Sequence, residues 1–276
     1  MAAIAPTAGG QYHWVSELAP RRVQSFLSYI TGWLVSLGWV SYLTLVSFTA
    51  ATTIQGLAVL NYPDYAAQPW HATLLTWAVV CFGLFFNTVL APRLPAIEVI
   101  FFVLHVVGWF GIFVTLLVTG PRRNAFDKFT HFTDGGNWGS DGLSGIITMM
   151  NSPLCWLGTS RQCTCILEIV ILVLNYYSAE ETQNASTTMP RVITWSIVMN
   201  AIMVIALADV YVTAIDDLDA TLSTPIGVVC IQVFYDVTKS RSATNAMAAL
   251  VVIESISACI AEGACASRQV ECTTFT

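Results

Sequence analysis

The sequence predicts an all-α, polytopic helical membrane protein, and three observations carry that expectation: the scarcity of charge, the length of the apolar runs and the punctuation between them. Hydrophobic residues fill 55% of the 276 positions and charged residues only 10%, with a mean hydropathy of +0.67, whereas soluble domains carry roughly a quarter charged residues. A fold in water would lack polar surface. The apolar residues come in blocks close to the length that a helix needs to cross the hydrocarbon, about 20 residues. Helix is the natural spanning element, because lipid offers the backbone no hydrogen-bond partner of its own.

Taken in order, the first block runs from Val23 to Leu60 and reads as one long tilted helix with Gly32, Ser36 and Gly38 available for close packing. Pro63 and Pro69 mark a turn over 61–70, and a second crossing covers His71 to Leu90. The prolines at 92 and 95 break it before a third crossing, Ala96 to Thr119. Residues 120–142 are polar and glycine-rich, a loop outside the hydrocarbon. The stretch from Leu143 to Tyr177 is irregular: a polar, cysteine-containing interruption at 158–165 precedes an apolar run, 166–174, too short to span alone. Val192 to Ile215 forms the next crossing, ended by Asp216, Asp217 and Asp219. An acidic loop with Pro225 and Gly227 leads to a last crossing, Ala243 to Ala266. The total is about six spans.

Composition also excludes. A net charge of -6 and no basic patch leave nothing to neutralise phosphates, so no nucleic-acid partner is expected. Met1 to Gly10 lacks a charged region ahead of an apolar one, so insertion is expected to rely on the first spanning helix. Cys81, Cys230 and Cys259 lie in or beside apolar runs, where a thiol is a small hydrophobe rather than half of a disulfide. Cys155, Cys163 and Cys165 lack the ligand spacing of a zinc site, and no metal or other cofactor is expected. There is no catalytic constellation, neither H-E-x-x-H nor a phosphate-cradling glycine loop, so the chain is read as no enzyme. Basic residues divide evenly between alternate loops once Arg161 is set aside, and the positive-inside rule leaves orientation open.

Ionisable side chains inside spans are costly and mark functional pathways. Glu98, His105, Asp209, Glu254 and Glu262 are the candidates. His105 lies seven residues after Glu98, two turns along one face, and its titration near neutral pH suits a proton relay; the plainer alternative is a hydrogen-bonded contact between helices. Glu98 and His105 are therefore the candidates for ion or proton coupling. Glu254 and Glu262 share a face, which marks either a polar pathway or a poorly inserting helix. Tyr29, Trp33, Trp39 and Tyr42 read as packing or interfacial aromatics, with a cation cage as the alternative.

The string Ala5-Pro6-Thr7-Ala8-Gly9-Gly10-Gln11-Tyr12-His13-Trp14 resembles the signature that follows the second helix of permeases in the amino acid–polyamine–organocation superfamily. Ser28-Tyr29-Ile30-Thr31-Gly32-Trp33, Leu94-Pro95-Ala96-Ile97-Glu98, Leu104-His105-Val106-Val107-Gly108, the segment from Ala179 to Arg191, and Asp217-Leu218-Asp219-Ala220 with Thr224-Pro225 are similar, in the same order, to the fungal and plant branch for amino acids, 4-aminobutyrate or choline. The resemblance implies a partial LeuT-like inverted-repeat fold in one transmembrane domain over 1–276, with the family's first helix and last four helices outside the chain and an aberrant segment at 155–178, where a frame shift with retained intron would explain the break. It implies a lipid bilayer, a small-molecule substrate (an amino acid, 4-aminobutyrate or choline) and a coupling ion such as H+ as partners, in the plasma or vacuolar membrane. It further implies that substrate meets half-helix ends at mid-membrane, so a chain without the first helix is expected to transport poorly. A non-transporting remnant that pairs with other permease chains is the alternative, and Asn184-Ala185-Ser186, a formal glycosylation sequon, is placed on the cytoplasmic side.

Overall fold

The fold was analysed in a computed structural model, which describes residues 15–62, 64–121, 138–147 and 185–274. The expectations for the aberrant segment 155–178, the cysteines at 155, 163 and 165, Asn184 of the sequon and the signature at 5–14 fall outside the described residues, as does most of the irregular stretch 143–177.

Helix α1 runs over Gln24–Asn61 and α2 over Pro69–Thr88; a 3-10 turn at Ala91–Arg93 leads into α3, Leu94–Thr119. Then come α4 (Ala185–Ala214), the short α5 (Leu218–Leu222), α6 (Val229–Thr238) and α7 (Arg241–Thr274). Among the described residues, five helices, α1 to α4 and α7, are long and apolar enough to cross a bilayer. The prolines act as the sequence requires. Pro69 opens α2, where a missing amide proton costs nothing, and Pro92 sits in the 3-10 turn that separates α2 from α3.

Helix α7 is the hub, packed most extensively on α1 and also on α2, α3 and α6. The face that α1 buries is made of small residues: Gly32, Ser36, Ser47, Ala50, Ala51, Thr53 and Gly56, with Leu60 at its end. Small side chains let backbones approach where lipid supplies no hydrophobic drive for association. Their hydroxyls are satisfied locally. Ser36 donates to the Gly32 carbonyl at 2.9 Å, Ser47 to Leu43 at 2.8 Å and Thr53 to Thr49 at 2.7 Å, so burying them leaves no orphan donor. A Cβ on Gly83 of α2 would stand 3.0 Å from the Cys259 sulfur of α7, which is why the smallest residue occupies that crossing.

Two expectations are corrected. Gly38 is exposed with nothing within 4 Å of a Cβ built on it, so among the described residues it makes no close helix contact; Gly32 and Ser36 do face the interior. The acidic loop after Asp219 contains α6, whose Ile231, Val233, Phe234 and Val237 are buried while Gln232 and Asp236 hydrogen-bond to each other at 2.9 Å. A ten-residue amphipathic helix cannot span, so it escapes a search for spans. It ends at Lys239, in the left-handed conformation with φ 51°. At the other end of the chain's crossings, Tyr29 and Trp33 are exposed and meet edge to face at 6.3 Å, as outward aromatics do.

Candidate functional site

The polar contacts on α7 fix its register against three neighbours. Asn61 and Asn245 exchange amide hydrogen bonds, each Nδ2 donating to the other's Oδ1 at 2.9 and 2.8 Å. Further along, Ser47 Oγ and Cys259 Sγ are 3.2 Å apart. These two points run α1 and α7 antiparallel. From α2, Asn87 Nδ2 donates to the Ile260 carbonyl at 2.8 Å. A Cβ on Gly108 of α3 would lie 3.5 Å from Leu250 of α7, so the two helices touch one turn away from His105 and Glu254.

At that contact the His105 Nδ1 and the Glu254 Oε2 are 2.9 Å apart, with side chains 15% and 21% exposed. Glu254 is the midpoint of the crossing Arg241–Ser267, and His105 lies well inside the crossing Ala96–Thr119. With a rise of about 1.5 Å per residue, each stands more than about 10 Å from the nearer end of its span. Neither would be stable there alone, since an unpaired charge in hydrocarbon costs several kcal/mol. Imidazole and carboxyl side by side can donate, accept and exchange a proton without leaving a net charge.

The remaining sequence candidates are not gathered here. Glu98 is half-buried near the start of α3, and helical rise puts it about 10 Å from His105, beyond direct contact. Glu262, only 3% exposed, lies on the face of α7 that Glu254 shares but two turns on. Asp209 is exposed on α4. Sequence reasoning singled out both His105 and Glu254 but did not join them; the signal was the rule that intramembrane acids and bases come in pairs. Asn61, Asn87 and Asn245 were missed, since an amide at the edge of an apolar run reads as a boundary. Among the described residues no group of three or more His, Cys, Asp or Glu could hold a metal ion.

A cavity of about 510 Å³ opens near the shared end of α3, α4 and α6, lined by Thr119, Ala214, Asp216, Asp217, Asp236 and Lys239 among others. Lys239 Nζ approaches Asp236 Oδ1 at 3.4 Å. It lies at the helix ends, apart from the His105 contact.

The amino acid permease family model matches residues 1–271. Relatives include a candidate amino acid/polyamine transporter of Macrophomina phaseolina, 27% identical over 92% of this chain and 53% of that protein. The choline transporter of Saccharomyces cerevisiae is 23% identical over 93% of this chain and 43% of its own length, and the transmembrane transporter swnT of Metarhizium robertsii is 24% identical over 86% and 44%. The chain thus spans about half the length of the curated relatives it matches. No solved structure matches it significantly. The motif order read from the sequence, the five apolar crossings and the match over nearly the whole chain agree that this chain belongs to the amino acid permease family.

Proposed function

We propose that the protein is a secondary permease that moves an amino acid or a related organocation, such as 4-aminobutyrate or choline, across the plasma or vacuolar membrane by alternating access, and that it performs no covalent chemistry on its cargo. The observation that carries the reading is the family match over residues 1–271. Relatives named for amino acids with polyamines and for choline support the substrate range. Coupling to protons through Glu98 and His105 is part of the proposal, supported by the placement of His105 beside a carboxylate inside a crossing.

The test is uptake of labelled amino acids, 4-aminobutyrate and choline into vesicles holding the purified protein, with an imposed inward proton gradient. Accumulation of one of these classes above protein-free vesicles, collapsed by dissipating the gradient, is the expected result. Uptake indistinguishable from protein-free vesicles for every class contradicts the reading. The same assay on the 276 residues alone is expected to give much weaker uptake, in line with the expectation that a chain without the first helix transports poorly.

A further inference from the structure

Glu254 has no role in the coupling scheme read from the sequence, yet it is the group that touches His105. We propose that His105 and Glu254 form one proton-exchange site inside the bilayer, which holds α3 against α7 while the pair is imidazolium and carboxylate and lets the helices part only when the proton has moved to the carboxyl. The inference rests on the transport reading above and adds a second residue and a conformational consequence to it. The step balances within the pair: the N–H bond at Nδ1 breaks, an O–H bond at Oε2 forms, and imidazolium plus carboxylate become imidazole plus carboxylic acid. No other reactant is consumed.

Geometry and solvation give the direction. In contact, the two charges satisfy each other; drawn apart in hydrocarbon, each would bear its own desolvation cost, whereas two neutral groups separate far more cheaply. Movement of α3 relative to α7 is therefore tied to the position of one proton. Beside Ile256 and Cys259 of α7, α1 contributes Ala50 and α2 contributes Val79, neither of which ionises. Cys259 is a thiol hydrogen-bonded near Ser47. On α4, Asp209 is exposed next to Val210, which packs with Leu116, three turns from His105 along α3. Asp236 of α6 is engaged with Gln232 and Lys239. Glu98 and Glu262 are two turns away on α3 and α7.

Difference infrared spectroscopy of the purified protein in lipid vesicles, with pH jumps as the only probe, reads the site without requiring transport. The expected result is a protonated-carboxyl stretch that disappears in Glu254→Gln, moves without vanishing in Glu254→Asp, and is altered in His105→Gln. A carboxyl signal identical in the parent protein and Glu254→Gln overturns the proposal. In vesicles, proton-driven uptake is expected to fall about tenfold or more in Glu254→Gln, within the usual range of coupling energies; undiminished proton-driven accumulation in that variant overturns it too. Should Glu254→Gln fail to fold, Glu254→Asp decides through its shifted band, and an unshifted band counts against the site. A Glu254-dependent signal in a protein that takes up nothing supports the proton site and sinks the transport reading. Uptake without a Glu254-dependent signal does the reverse.

Discussion

The two long helices α1 and α4 enter the same membrane but meet the rest of the protein differently. Helix α1 buries glycine, alanine, serine and threonine, with Ser47 and Ala50 against Cys259 of α7 and Gly56 against α6, and turns Phe26, Leu34, Leu37 and Phe48 outward. Helix α4 exposes Trp195, Ile197, Met199, Ile202 and Ile205, and touches α3 chiefly near its end through Val210 and Ala214. The lesson is about the solvent. In lipid, large apolar side chains gain nothing by leaving the surface, so the contact face is marked by small residues and by satisfied polar groups. A reading that sent the bulkiest hydrophobes inward would have turned both helices the wrong way.

That contrast predicts a ranking of substitutions, measurable as unfolding free energies in bilayers or detergent. Gly83→Leu forces a side chain into the space 3.0 Å from the Cys259 sulfur and is expected to cost about 3 kcal/mol. Combining it with Cys259→Ala should recover part of that loss, and no recovery would show that the crossing is looser than described. Asn61→Leu comes next. A double-mutant cycle with Asn245→Leu is expected to give a coupling of about 1 kcal/mol, the upper part of the range for interhelical hydrogen bonds in membranes. Ser47→Ala removes a hydroxyl that already bonds within its own helix and should cost only about 0.5 kcal/mol. Ile202→Leu on the outward face of α4 should change stability by less than about 0.5 kcal/mol. A large loss there would mean that α4 is covered rather than lipid-facing.

The crossings were legible because prolines, polar loops and the hydrocarbon thickness set their limits from outside: α1, α2 and α3 begin and end within a few residues of where the apolar blocks do. The start of α4 was less so. Its first turns are Ala-Ser-Thr-Thr, polar enough to read as loop, yet the helix begins at Ala185. Gly38 shows the limit of composition, since a glycine in a span announces close packing only if the helix turns it inward, and rotation is set by the partner. The same limit hid the His105 pairing. One sequence states that an acid and a base both lie in spans; which acid meets which base depends on the antiparallel register of α3 and α7, fixed at Gly108 against Leu250.

The coupling proposal depends on that register, so the most direct measurement is disulfide crosslinking in membranes. His105→Cys and Glu254→Cys would be introduced together into a chain whose native cysteines are replaced by alanine, with Val103→Cys plus Glu254→Cys as the comparison, because Val103 is exposed on another side of α3. The account predicts rapid crosslinking of positions 105 and 254 and little of 103 with 254. Equal crosslinking of both pairs, or preference for 103, would contradict the contact between α3 and α7 on which the proposed site is built.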